Sequence, residues 1–133
     1  MSLYRKHLGK LGEDIACRFL KMHGYRIIDR NFHSRFGEID IIAIDNQKIL
    51  VFIEVKTRAN DSFGLPEESV IYPKRQKLIK TVLFYLQRNQ RFSNLDFRID
   101  VVGIKIDQNS KRARVKHIKL SLIHISEPTR LLS

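Results

Sequence analysis

The sequence is short of cysteine, of acids and of long apolar runs, and each shortage excludes something. Cys17 is the only cysteine among 133 residues, so no intramolecular disulfide can form, which fits a reducing cytoplasm. Its setting in the helical run Ile15-Ala16-Cys17-Arg18-Phe19-Leu20 reads as a small core residue rather than a nucleophile. No apolar stretch is long enough to span a bilayer, and residues 1–7 lack the apolar stretch of a signal peptide. The histidines at 7, 23, 33, 117 and 124 show no metal-ligand spacing. Asp and Glu number 14 against 25 Lys and Arg, a net charge of +11. That imbalance points to a polyanionic partner, most simply nucleic acid.

Hydrophobic residues make up 43% of the chain, enough for one globular core at this length. Leu8, Leu11, Ile15, Phe19 and Met22 recur at helical spacing, and Gly24 ends that helix. Strands are expected over 25–32, 38–44 and 48–57, with a turn at 34–37 and a hairpin signal at Asp45-Asn46-Gln47. Residues 58–66 read as a loop. A second helix is expected over 73–89, opened by Pro73, with Leu78, Ile79, Val82, Leu83 and Leu86 as its apolar stripe. Two more strands are expected over 97–106 and 113–120. The order α-β-β-β-α-β-β implies an α/β sandwich around a mixed sheet, in a single domain spanning 1–119. Residues 120–133 resemble the translation of a transposase adapter used in sequencing libraries and are read as a non-native read-through tail. The true C-terminus is then expected to be missing.

The chemistry concentrates in Gly37-Glu38-Ile39-Asp40 and Glu54-Val55-Lys56. Charges inside an apolar run such as Ile49 to Lys56 are costly unless they are paired or hold a metal. Alternation puts Glu54 and Lys56 on one strand face and Val55 on the other. Placing Ile39, Ile41 and Ala43 on the same face as Val51, Ile53 and Val55 pairs 39 with 55, 41 with 53 and 43 with 51. Asp40 then falls opposite Glu54, and Glu38 opposite Lys56. This register requires a loop with an odd number of residues, or a bulge. Hard oxygen ligands of this kind suit Mg²⁺ or Mn²⁺, and Lys56 could orient a water or stabilise developing negative charge. The competing reading is an exposed face of cross-strand ion pairs among Glu38, Glu54 and Lys56.

Gly9-Lys10-Leu11-Gly12-Glu13-Asp14-Ile15-Ala16, Arg30-Asn31, Gly37 to Ala43, Val51 to Arg58 and Arg98-Ile99-Asp100-Val101-Val102 together resemble the bacterial YraN family. The likeness runs in order from about residue 5 to 118. That family is described by inference as endonucleases of the PD-(D/E)xK superfamily, distantly similar to archaeal Holliday-junction resolvases. The resemblance implies a restriction-endonuclease-like three-layer fold, with Asp40 and Glu54 as metal-binding acids and Lys56 as the catalytic lysine. It also implies the backbone carbonyl of Val55 as a further metal ligand, and Glu13 as an additional catalytic and metal-binding acid from the first helix. Ile39 stands where the superfamily motif has proline. Glu13 also reads as an acid favoured by the helix dipole, while Gly9 and Gly12 permit the close approach a site role needs. Asp100 reads as a structural acid.

Arg30, Arg35, Arg58, Lys74, Arg75, Lys77 and Lys80 are the candidate phosphate contacts, the helical cluster 74–80 foremost because it lies at a helix N-terminus. The expected function is a metal-dependent endonuclease of DNA, including branched or flapped DNA. A non-catalytic nucleic-acid-binding protein and an RNA-processing nuclease are the alternatives. The expected partner is nucleic acid, DNA first; a homodimer is admitted and a membrane is not.

Overall fold

A computed structural model describes residues 3–59, 72–107 and 109–120. Helix α1 (Leu3–Met22) leads into strands β1 (Arg26–Ser34), β2 (Gly37–Ile44) and β3 (Leu50–Ala59). Helix α2 (Tyr72–Arg88) and a short 3-10 helix (Gln90–Phe92) follow, then β4 (Phe97–Asp107) and β5 (Arg112–Leu120). The five strands lie in the order β1-β2-β3-β4-β5. The β3–β4 pair is parallel and the others are antiparallel, which makes the sheet mixed. The result is a three-layer α/β sandwich, with α1 on one face and α2 on the other. The expected tail falls on residues outside the described ones, apart from Leu120, which ends β5. The expected loop falls outside them from residue 60 onward; Arg58 and Ala59 instead belong to β3.

Gly24 stops α1 as its position suggested. With φ at 89°, it donates its N–H to the Lys21 carbonyl, while Tyr25 N–H reaches the Leu20 carbonyl at 2.9 Å. Those two bonds satisfy carbonyls that a helix end leaves open. The buried stripe of α1 is shifted from the expected one. Ala16, Cys17 and Leu20 are buried, with Leu8, Ile15 and Phe19 partly so, while Leu11 and Met22 stay exposed. Gly12 completes the stripe: a Cβ there would overlap the Thr57 side chain, so the missing side chain lets α1 lie close on β3.

Alternation sorts the sheet cleanly. Ile41, Ala43, Val51, Ile53, Val102 and Ile104 face α1. Ile42, Leu50, Phe52, Phe97 and Ile99 face Leu78, Val82 and Tyr85 of α2. The β2–β3 pairs Ile41↔Ile53 and Ala43↔Val51 match the expected register. The connection is the five-residue stretch 45–49, an odd count as required, closed by Asp45 N–H to the Ile49 carbonyl at 3.0 Å.

The register fails beyond Ile41, where the ladder ends. Ile39 does not pair with Val55, and it lies in the α2-side cluster instead of sharing the face of Ile41. The cause is in β1. Asn31 adopts φ 55°, and Phe32, the partner of Ile39, also sits on the α2 side. A left-handed residue turns the strand over locally. The tip of the β1–β2 hairpin therefore curls toward α2, where Phe32 meets Tyr85 edge-on with ring centroids 5.0 Å apart.

On the α1 face, Arg98 and Asp100 form a buried ion pair, with Arg98 Nε donating to Asp100 Oδ1 at 2.7 Å. The guanidinium also donates to Tyr25 Oη at 3.0 Å and to Asp45 Oδ2 at 3.4 Å, and His117 Nε2 lies 2.6 Å from Asp100 Oδ2. Burial opposes the charge on Arg98, but its bonds and attraction to Asp100 outweigh that cost and hold its pKa above the ordinary value. Asp100 is thus structural, as its sequence position suggested.

Candidate active site

The curl of the hairpin opens a gap between β2 and β3, and Asp40 fills it. Its Oδ2 accepts the Val55 backbone N–H at 2.7 Å. Asp40, Glu54, Val55 and Lys56 line one cavity of 340 Å³ on the α2 side of the sheet. Lys77, Leu78 and Thr81 of α2 and Gly37 and Glu38 of β2 complete its wall. Gly37 is needed here: its φ is 151°, and a Cβ would stand 3.1 Å from Thr81 Oγ1.

The electrostatics of the cavity are unbalanced. Asp40 has its pKa raised from 3.8 to about 6, chiefly by burial; the Val55 hydrogen bond opposes this, and repulsion from Glu13, Glu54 and Glu38 adds to it. Glu54 Oε2 is sealed from solvent. Carboxylates gathered in a half-buried wall favour a cation among them. The donor set is all hard oxygen, so the residues present suit Mg²⁺ or Mn²⁺ better than a thiophilic metal.

The sequence-derived residues divide into groups. Asp40, Glu54, Val55 and Lys56 meet in the cavity. Glu13 is near enough for its charge to act on Asp40, but it lies 3.7 Å from Arg30 Nη2 and does not line the cavity. Among the described residues, no group of three or more His, Cys, Asp or Glu side chains is arranged to hold a metal. Glu38 pairs with His33 across the β1–β2 hairpin, and its Oε2 lies 3.0 Å from His33 Nδ1 on the exposed side.

The candidate phosphate contacts scatter. Lys77 and Lys80 are exposed on α2, and Lys77 lines the cavity. The side chains of Lys74 and Arg75 lie outside the described residues. Arg30 is turned toward α1, donating to Asp14 at 2.9 Å. Arg35 stacks over Phe36 at 4.9 Å, and Arg58 Nη1 donates to the Thr57 carbonyl at 3.2 Å. Thr81 was not anticipated at the site; its spacing of four from Lys77 on one helix is the signal that places it there.

Among the described residues, no helix is long and apolar enough to cross a membrane. The chain resembles a UPF0102 protein of Desulforamulus reducens, 41% identical over 122 residues that cover 92% of this chain and 100% of the relative. It is 43% identical to a UPF0102 protein of Clostridium kluyveri over 119 residues, covering 90% and 96% respectively. A third, from Persephonella marina, is 47% identical over 96 residues, covering 72% and 81%. A solved structure titled "The structure of Pyrococcus Furiosus SfsA in complex with Ca2+" aligns distantly, with a TM-score of 0.38 and 14% identity, covering 87% of this chain and 64% of that one. The family profile described as "Uncharacterised protein family UPF0102" matches residues 12–104, and the chain belongs to that family.

Proposed function

We propose that this protein is a divalent-metal-dependent endonuclease that hydrolyses phosphodiester bonds in DNA. The observation that carries the reading is the meeting of Asp40, Glu54 and Lys56 in one cavity, two carboxylates and an ammonium on adjacent strands. Asp40 and Glu54 would hold Mg²⁺ or Mn²⁺, with the Val55 carbonyl as a further oxygen. Bound there, the metal would polarise a phosphate and lower the pKa of a water.

The chain's own groups supply the rest. The Val55 N–H fixes one oxygen of Asp40, so that carboxylate is oriented before any ligand arrives. Lys56 brings a positive charge to the wall that holds the acids, where it can orient the attacking water and stabilise charge growing on a phosphate oxygen. The net charge of +11 draws a polyanion toward the protein.

The test is cleavage of branched, flapped, single-stranded and duplex DNA with Mg²⁺ or Mn²⁺, with a chelator as control. Metal-dependent cutting of at least one DNA supports the proposal. Binding without cutting under every condition favours the non-catalytic nucleic-acid-binding alternative, and cutting confined to RNA favours the RNA-processing one.

A further inference from the structure

Two aromatic rings at the rim of the candidate site lie outside the core. Phe36, in the β1–β2 turn, lines the Asp40–Glu54 cavity, and Phe84 of α2 meets it edge-on with ring centroids 5.7 Å apart. Both are partly exposed, and neither belongs to the two clusters that build the core. Each carries an arginine: the guanidinium of Arg35 lies 4.9 Å from the Phe36 ring centroid, and that of Arg88 lies 5.3 Å from the Phe84 centroid. Both arginines are exposed. The order Arg35, Phe36, Phe84, Arg88 thus sets a cation at each end of an aromatic pair. Along α2, Lys77, Thr81, Phe84 and Arg88 recur at spacings of four, three and four, which places them in one stripe. Lys77 and Thr81 wall the cavity, so the stripe runs from the cavity to the aromatic pair and ends on Arg88.

Packing accounts for part of this. Phe84 also faces Phe32, with centroids 6.3 Å apart, so the pair helps to seat the hairpin tip on α2. Phe92 shows a ring with a structural role alone. It too lies beneath an arginine, Arg91 at 4.6 Å, but it is buried in the α2-side core and stacked on Tyr85. Phe36 and Phe84 keep exposed surface in a place where aliphatic side chains would seat the tip. Exposed rings beside arginines are the chemistry that takes an unpaired base, because the ring stacks on it and the guanidinium meets the phosphate. A cation–π contact at an exposed site is weak, so each guanidinium can turn to a phosphate and yield the ring to a base.

We infer that Arg35, Phe36, Phe84 and Arg88 form a stacking platform for the unpaired bases of single-stranded DNA, which leads the strand along Lys77 to the Asp40–Glu54 cavity. This deepens the nuclease reading and rests on it: the substrate carries an unpaired segment beside the bond that is cut. The net charge of +11 complements the strand's phosphates.

The experiment measures binding of labelled oligothymidylate and of a DNA duplex of the same length across a salt series, with a chelator present so that cleavage plays no part. The double variant Phe36→Leu, Phe84→Leu should bind the single strand on the order of tenfold more weakly at every salt concentration, with its salt slope and its duplex affinity unchanged. Arg35→Gln, Arg88→Gln should instead lower the single-strand slope of log affinity against log salt by about 1 to 1.5. The parent should lose a like factor on a strand whose bases are replaced by abasic sites, a comparison that needs no altered protein. Equal affinity of the parent for the abasic and thymidylate strands overturns the platform and leaves the nuclease reading standing. So does a leucine variant that unfolds at the parent's temperature and binds the single strand as tightly as the parent, or that loses duplex and single strand alike. A variant that loses oligouridylate but keeps oligothymidylate overturns the choice of DNA. The expected binding pattern in a protein that cuts no DNA with Mg²⁺ or Mn²⁺ supports the platform and overturns the nuclease reading alone.

Discussion

Asp40 Oδ2 takes the Val55 N–H at 2.7 Å at the point where the β2–β3 ladder ends, so a side chain does there what a backbone carbonyl does along the rest of the pair. The bond holds an acid at the mouth of the gap between the strands. It also leaves the carboxylate partly desolvated among Glu13, Glu54 and Glu38.

That placement costs stability. The folded-state pKa of Asp40, about 6, lies above its ordinary 3.8, so the fold favours the protonated acid. The contribution is fully present below 3.8 and is lost as pH rises through about 6. Asp40→Asn, which keeps an oxygen for the Val55 N–H, should therefore be more stable than the parent at neutral pH without metal, by on the order of 2 kcal/mol. The difference should close in acid. Urea titrations at several pH values with a chelator present measure it, and a variant less stable than the parent at neutral pH would contradict the account.

The Arg98–Asp100 pair should behave in the opposite way. Asp100→Ala leaves a buried guanidinium without its main counter-charge and should cost about 3–5 kcal/mol. The double variant Arg98→Met, Asp100→Leu removes both charges and should be milder than Asp100→Ala alone. Denaturant midpoints of the two proteins decide it; a double variant worse than the single would show that the network's other bonds, to Tyr25 and Asp45, matter more than the charge pair.

Gly12→Ala should destabilise the protein by about 1–3 kcal/mol, because the new methyl meets Thr57 and forces α1 off β3. Adding Thr57→Ala removes the hydroxyl and methyl it strikes and should recover part of the loss. Equal stability of parent and Gly12→Ala, read by thermal unfolding, would mean that the helix shifts without cost.

Much of this was legible in the sequence. The element order followed from apolar periodicity, the end of α1 from Gly24, and the centre of the β2–β3 register from matching apolar faces. The site trio followed from charges placed inside an apolar run. The departures have local causes. Asn31 enters a left-handed conformation that nothing in its neighbours announces, and with it Ile39 changes face. Gly12 acts as a packing residue although it is not apolar, which is why the stripe drawn through Leu11 and Met22 was displaced.

The most direct test of the central claim compares metal-dependent DNA cleavage by the parent and Lys56→Ala, purified identically to exclude a contaminating nuclease, with DNA binding measured alongside. The account predicts that Lys56→Ala loses cleavage on the order of 100-fold or more while binding DNA nearly as well as the parent, since one charge among 25 basic residues adds little to the overall field. Cleavage at the parent's rate by Lys56→Ala would contradict it.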